Sequence, residues 1–359
     1  MSELLTIVLA AGKGTRMKSD KNKVLHEIAG KEMVNHVVDT AAEISSEVIC
    51  IVGHQAEAVK KAVKTDDIKF KIQENQLGTG HAVMQADKEI KSHNGDVLIL
   101  YADIPLIKIE TLNKMQAFHD QNAADLTIMT TLLKNPTGYG RIIKNEASEI
   151  TKIVEEDDAD QKEKMINEIN SGIMCIDSRV LDKALANLDN DNAQNEYYLT
   201  DIVDYINSNK GKILPYQIDD SQEITGVNDR VNLAKAEKIL RARNNKKHME
   251  NGVTIIDPET TYIDDNVEIG SDTIIYPFTY IEGDTTIGRH NIIKPQNHII
   301  DCKIGNNNHI KDSNVIKHSE IRNECNIGPF AHIRPGCIIA DGVKVGDYVE
   351  AFEEVEVSR

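Results

Sequence analysis

Nine residues, Leu9-Ala10-Ala11-Gly12-Lys13-Gly14-Thr15-Arg16-Met17, place two glycines and two cations directly behind an apolar run. Small residues let a backbone approach a phosphate closely, and consecutive N–H groups can then cradle its oxygens. Arg16, and Lys23 seven positions on, add formal positive charge suited to a triphosphate. The spacing is not G-x-x-x-x-G-K-[ST], which excludes a P-loop, and not G-x-G-x-x-G, which disfavours a dinucleotide fold. A Gly-x-Gly on its own equally fits a plain turn. A second chemical signal is Asp103, which closes an apolar run as Tyr101-Ala102-Asp103-Ile104-Pro105. A carboxylate at a strand end, opposite a phosphate loop, is a natural Mg²⁺ ligand, because Mg²⁺ takes one or two protein oxygens and fills its other positions with water and phosphate. Taken alone, such an Asp equally serves as a turn or cap residue.

These residues need a scaffold, and the first half of the chain alternates strand and helix signals. TIVLAA (6–11), EVICIVG (47–53), DVLILYADIP (96–105) and DLTIMTTLL (125–133) read as buried strands, with helical spacing over 33–44 and 55–64. Buried strands alternating with helices predict a mostly parallel sheet covered on both faces, a Rossmann-like α/β domain. Ligands of such sheets bind at the carboxyl ends of the strands, where this chain puts its glycines and Asp103. Residues 228–251 predict one long polar helix with a narrow stripe of Val231, Ala234, Ala236, Ile239 and Leu240, stopped by Gly252. Arg241, Arg243, Lys246, Lys247 and His248 crowd its C-terminal end, either an anion site or a solvated helix end that suits the dipole.

Beyond it, aliphatic residues recur every six positions: Ile263, Ile269, Ile275, Ile281, Ile287, Ile293 and Ile299, then Ile304, Ile310 and Ile316, then Ile321, Ile327, Ile333, Ile339 and Val345. A hexapeptide period predicts a parallel β-helix in which three short strands close one triangular coil. The expected domains are therefore 1–227, a linker helix 228–251, and a β-helix over 252–359 that stops short.

Composition excludes several classes. With 41 basic and 58 acidic residues the formal net charge is −17, which argues against a nucleic-acid binder. Aromatics are 4% with no Trp, so no base-stacking platform is expected. No stretch approaches the ~20 apolar residues of a membrane span, and the N-terminal apolar run lacks the basic flank of a signal peptide. Cys50, Cys175, Cys302, Cys325 and Cys337 include no CxxC pair and read as buried reduced thiols of a cytoplasmic protein.

LAAGKGTRM, Lys23 in KVLHEIAGK, QENQLGTGHA (73–82), YADIPLI, PTGYGRI (136–142), IVEE (153–156), EINSGI (168–173), NAQNEYYLTDI (192–202) and GVNDR (226–230) occur in a fixed order, followed by NIGPFAHIRPG (326–336) inside the repeats. In this the chain resembles, over essentially its whole length, the GlmU family of bifunctional N-acetylglucosamine-1-phosphate uridyltransferases and glucosamine-1-phosphate acetyltransferases. The resemblance implies a left-handed β-helix, Mg²⁺-dependent uridyltransfer from UTP to N-acetylglucosamine-1-phosphate, and UDP-N-acetylglucosamine and pyrophosphate as products for cell-wall precursor synthesis. Leu9, Ala10, Ala11, Gly12 and Lys23 would hold the nucleotide, with Arg16 and Lys23 serving catalysis at its phosphates. Gln73, Gln76, Gly78 and Thr79 would read uracil. Gly140, Glu155 and Asn170 would hold the sugar, Tyr101 would join the substrate contacts, and Asp103 and Asn228 would bind Mg²⁺. The phosphate of the sugar substrate is itself the nucleophile, so no protein base is required, and His26 and His81 read as structural.

The second activity reads as absent. Arg334 matches a residue that would bind sugar phosphate in the acetyltransferase domain, but Phe352 stands where family members carry Lys, and the chain ends before the family's catalytic His and acetyl-CoA coils. Two smaller departures are Ala102, whose methyl is expected to crowd the sugar site slightly, and Asn195, in a Gly position that Asn tolerates at positive φ. Family β-helices assemble as trimers, so a homotrimer is expected. Competing readings are another sugar-1-phosphate nucleotidyltransferase and a non-catalytic trimeric scaffold that binds UDP-sugar.

Overall fold

A computed structural model describes residues 3–352 and the strand Glu356–Val357. The chain divides into two compact units, Met1–His26 with Glu32–Ala236, and Glu27–Lys31 with Glu237–Arg359. Two features of this division differ from the boundaries 1–227, 228–251 and 252–359. The segment Glu27–Lys31 belongs to the second unit because the Asp265 N–H donates to the Ala29 carbonyl at 3.0 Å and the Ala29 N–H to Glu237 Oε2 at 2.7 Å. The long helix is shared between the units rather than standing between them.

In the first unit the strands are β1 (Leu4–Ala10), β2 (Glu47–Val52), β3 (Lys69–Ile72), β4 (Asp96–Tyr101), β5 (Leu126–Leu132), β6 (Arg141–Lys144), β7 (Ile150–Val154), β8 (Glu168–Asp177) and β9 (Ile213–Gln217). They form one sheet in the order β9-β5-β8-β4-β1-β2-β3, with β6 and β7 attached beside β8. β1 pairs in parallel with both β2 and β4, whereas β8 runs antiparallel between β4 and β5. Along this order the sheet is thus parallel but for β8, a reversed strand that the apolar runs did not mark; β7, antiparallel to β6, runs in the same direction as β8.

Alternation along each strand sends its residues to opposite faces. Leu5, Ile7 and Leu9 face α3 (Thr79–Met84), α4 (Asp87–Ser92), α6 (Ser178–Leu185) and α7 (Ile202–Ser208). Leu4, Val8 and Ala10 face α1 (Met33–Ile44), α2 (Ala56–Ala62) and α5 (Ile109–Asn122). All seven residues of β1 are buried, as a central parallel strand requires.

Helix α8 (Arg230–Glu250) carries less of an apolar stripe than the spacing predicts: Val231 and Ala234 are exposed and Ala236 is buried. Its C-terminal end is not simply solvated. Arg241 lies over the Tyr262 ring at 3.9 Å, and His248 is buried. The helix stops at Gly252, at φ +90°, whose N–H caps the Met249 carbonyl.

The second unit is a parallel β-helix of three six-stranded sheets. Ile275, Ile293, Ile310, Ile327 and Val345 stack in one, Ile281, Ile299, Ile316 and Ile333 in the next, and Ile269, Ile287, Ile304, Ile321 and Ile339 in the third. The two slips in the hexad each drop one residue without breaking a stack. Each buried Ile contributes roughly 1.5–3 kcal/mol, and the stacks form one continuous core.

Candidate active site

The site begins where β1 ends. Residues 11–14 leave the sheet and a short 3₁₀ turn, Thr15–Met17, follows. Gly14 sits at φ +62°, and a methyl there would lie 2.5 Å from Lys23 Cβ, so the loop and Lys23 can approach only because position 14 lacks a side chain. Leu9 through Arg16, Lys23, Gln73, Gln76, Gly78, Thr79, Tyr101, Asp103 and Asn228 line one cavity of about 600 Å³.

At its rim four polar side chains converge. Lys23 Nζ lies 2.5 Å from Asp103 Oδ2 and 3.1 Å from Asn228 Oδ1, and Arg16 Nη2 donates to the same Asn228 oxygen at 3.0 Å. The Val227 N–H bonds the Asp103 carbonyl at 2.8 Å, which fixes Asn228 beside the end of β4. One carboxylate and one amide oxygen meeting on a single ammonium is a donor set that fits a hard divalent cation, because both are oxygens and both already point at one positive charge.

On the opposite wall, Gln73 is buried and uses its amide NH₂ towards the Gly78 carbonyl and His81 Nδ1, both at 3.0 Å. His81 therefore positions a wall residue, in line with its structural reading. Gly78 is at φ +107°, where an added Cβ would strike the Tyr197 carbonyl at 2.6 Å. The loop after residue 192 closes this wall: the Leu199 N–H bonds Thr79 Oγ1, and the Gly80 N–H bonds the Tyr197 carbonyl. Gln194 and Glu196 of this loop also line the cavity, which the sequence reading did not assign. Their motif was visible, but nothing in it says which side chains turn inward. Asn195 takes φ +53°, the conformation expected of it.

Gly140, Glu155 and Asn170 form a second group. The Asn170 N–H bonds the Gly140 carbonyl at 2.9 Å, and a Cβ on Gly140 would lie 3.3 Å from Glu155 Oε2. Burial raises the Glu155 carboxyl above its ordinary range, with Asp158 and Asp157 adding to the shift, although Thr200 Oγ1 donates to it at 3.1 Å. These three do not line the nucleotide-sized cavity, and Glu155 opens on another of about 460 Å³ with Asp158, Tyr198 and Asp201. Tyr101 belongs to both surroundings. Burial pushes its hydroxyl up strongly, then the charges of Glu155 and Asp103, while Thr79 bonds it. Ala102 does not crowd the site: it is fully buried in the core under α1 and α5.

Arg334 lies in the second unit, where its Nε donates to Glu350 Oε1 at 2.6 Å and its guanidinium stands 5.3 Å from the Phe352 ring. The position expected to hold a second cation therefore offers an exposed ring instead.

Residues 6–166 match the MobA-like NTP transferase domain family, and residues 256–355 the GMPPB C-terminal domain family. The chain is 47% identical over 356 residues to the bifunctional protein GlmU of Acetivibrio thermocellus, covering 99% of this chain and 77% of that one. It is 47% identical over 339 residues to the bifunctional protein GlmU of Bacillus subtilis, covering 94% and 74%. Among solved structures, a UDP-glucose pyrophosphorylase complexed with UDP-glucose is similar in fold, with a TM-score of 0.55 and 17% identity over 68% of this chain and all of that one.

Proposed function

The chain belongs to the bifunctional GlmU family, and from that premise we propose that its first unit transfers a uridylyl group from UTP to N-acetylglucosamine-1-phosphate. A phosphate oxygen of the sugar substrate attacks the α-phosphorus in line. A new P–O bond forms, the bond to the β-phosphate bridge breaks, and pyrophosphate leaves with the electron pair. No side chain has to act as nucleophile or base. The protein must hold two mutually repelling anions and offset the charge that builds between them.

The convergence of Lys23, Arg16, Asp103 and Asn228 on one point of the cavity rim is the observation that carries this reading. Arg16 and Lys23 supply fixed positive charge beside the phosphate loop, and the backbone N–H groups after β1 are available to phosphate oxygens. Asp103 and Asn228 would hold the divalent metal of the family, which we take to be Mg²⁺; once bound it would neutralise phosphate charge. Gln73, with its NH₂ group committed to Gly78 and His81, has its carbonyl oxygen left to accept from a base, as uracil N3–H requires. Gly140, Glu155 and Asn170 are assigned to the sugar.

Pyrophosphate release from UTP plus N-acetylglucosamine-1-phosphate, with Mg²⁺ and then with EDTA, tests the reading. Release that depends on metal and vanishes in Asp103→Ala supports it. A folded protein that binds UDP-N-acetylglucosamine without release supports the scaffold reading instead, and faster turnover of ATP or dTTP would move the assignment to another sugar nucleotide.

The family reading also brings a threefold assembly through the β-helix and a cytoplasmic location; among the described residues no helix is long and apolar enough to cross a membrane. Mass in solution tests the trimer. Because Arg334 is held by Glu350 beside Phe352, we assign no acetyl transfer to this polypeptide, and acetylation of glucosamine-1-phosphate from added acetyl-CoA would overturn that.

A further inference from the structure

At the end of the sheet remote from the phosphate loop, three side chains of different elements meet beneath α5. Asp96 opens β4, Cys175 lies on β8, and His119 comes from the last turn of α5. Cys175 is in register with Leu98 on one side and Thr127 on the other, and it shares a sheet face with Asp96. One carboxylate oxygen, one imidazole nitrogen and the sulfur lie within 4.8 Å of one another, and all three residues are buried. Asp96 opens β4, and Asp103 lies in the turn after its last residue, Tyr101; the strand between spans about 17 Å at ~3.3 Å per residue, so the cluster is separate from the first cavity.

Three features point to a cation. His119 Nδ1 is 2.9 Å from Thr127 Oγ1, a bond that orients the ring and leaves Nε2 facing Asp96 Oδ1 at 3.5 Å. In the tautomer whose Nδ1–H donates to Thr127, the Nε2 lone pair and the Asp96 carboxylate face one another, and a cation between them would satisfy both. Next, Asp120, which is exposed, is within hydrogen-bond reach of Asp96, so a second carboxyl adjoins the cluster. Finally, Cys175, 1% exposed, brings its sulfur within 4.8 Å of both the Asp96 oxygen and the His119 nitrogen. A sulfur, an imidazole nitrogen and carboxylate oxygens are the donors of a zinc-type site, and a hydrogen-bond partner on the other imidazole nitrogen is its usual companion. Tetrahedral ligands of such an ion lie about 3.5 Å apart, so atoms up to 4.8 Å apart need to close by at most about 1.3 Å.

The geometry points to a structural site for a zinc-type divalent ion, held by Asp96, His119 and Cys175 with Asp120 as the outer ligand, which pins the end of α5 to β4 and β8. Binding releases the thiol proton and lowers the sulfur's pKa, so uptake strengthens as pH rises.

The test uses the full chain, stripped with a chelator and kept in excess Mg²⁺ so that Asp103 and Asn228 are occupied. Zn²⁺ is added and the bound metal counted after gel filtration; Co²⁺ is added to a second sample. One Zn²⁺ per chain, a higher melting midpoint, and a sulfur-to-cobalt charge-transfer band in the near ultraviolet are expected. Cys175→Ser removes the band, Thr127→Val weakens affinity about 10–100-fold, and neither changes pyrophosphate release. The wild-type band needs no variant, so a misfolded mutant cannot decide the matter. Uptake far below one ion per chain, no band, or retention unchanged in Cys175→Ser together with His119→Gln overturns the site.

Discussion

Gly14→Ala tests the phosphate loop at its tightest point. The added methyl stands 2.5 Å from Lys23 Cβ at a backbone φ of +62°. Carbons in contact lie about 3.5–4.0 Å apart, so the loop or Lys23 must yield by about 1 Å. Alanine in the left-handed region costs about 1–2 kcal/mol besides. For a unit of this size that lowers the melting midpoint by about 2–8 °C. On the proposed reading the larger effect falls on rate, because Lys23, which touches both Asp103 and Asn228, would carry charge for the transition state. A shift of about 1 Å in such a group costs on the order of 10²-fold. Steady-state pyrophosphate release and a thermal melt on the same preparation measure both. Gly138→Ala separates the causes: Gly138 is at φ +86° with nothing within 4 Å of an added Cβ, so it reports backbone strain without collision. Turnover of Gly14→Ala within about threefold of wild type, at a midpoint lowered as much as in Gly138→Ala, would refute the claim that this glycine exists to let Lys23 in.

Gly12→Ala meets nothing within 4 Å and has no positive φ, so its methyl enters the cavity; folding is unchanged and KM for UTP rises in initial-rate assays. Asp201 has its pKa raised from 3.8 to about 6 by burial and by Asp204, Asp189 and Glu155. The folded state therefore binds this proton more tightly than the unfolded one, and stability falls as pH rises from about 4 to 6. Asp201→Asn is then more stable than wild type at pH 7.5 and equal to it below pH 4; melts across that range show the gap, and a gap of constant size sinks the argument. In the β-helix, Asn314 donates to Asn297 Oδ1 and the Lys311 carbonyl and accepts from the Ala331 N–H. Asn314→Ala orphans the buried Ala331 N–H at about 1–3 kcal/mol, while Asn297 Oδ1 keeps the residue-314 N–H and the Lys311 carbonyl keeps the Asn297 amide; hydrogen exchange at Ala331 should rise with a lower midpoint for the second unit.

Much of this protein is determined by local sequence. The hexad of Ile263 to Val345 dictates the β-helix, because a stack forms wherever one inward aliphatic recurs per strand. The run of apolar residues in β1 dictates a central strand, since only burial on both faces tolerates it. Asn195 and Gly252 mark positive φ by residue type alone. The ordered motifs, read as a resemblance, single out Leu9 to Gly12, Lys23, Gln73, Gln76, Gly78, Thr79, Asp103 and Asn228, which line one cavity, but a motif does not say which neighbours share a wall. Only the folded chain brings Asn228 to Lys23, 205 positions away, because a backbone bond from Val227 to Asp103 joins two distant segments. Only the folded chain turns Gln194 and Glu196 into the cavity and sends the methyl of Ala102 into the core, since the direction of a side chain follows from sheet register. The antiparallel β8 is the clearest case. Its reversed direction sets Cys175 between Thr127 and Leu98, under His119, and no periodicity in 168–177 could have announced it. Pairing across a sheet depends on which strands become neighbours, and that is settled by the packing of the whole domain.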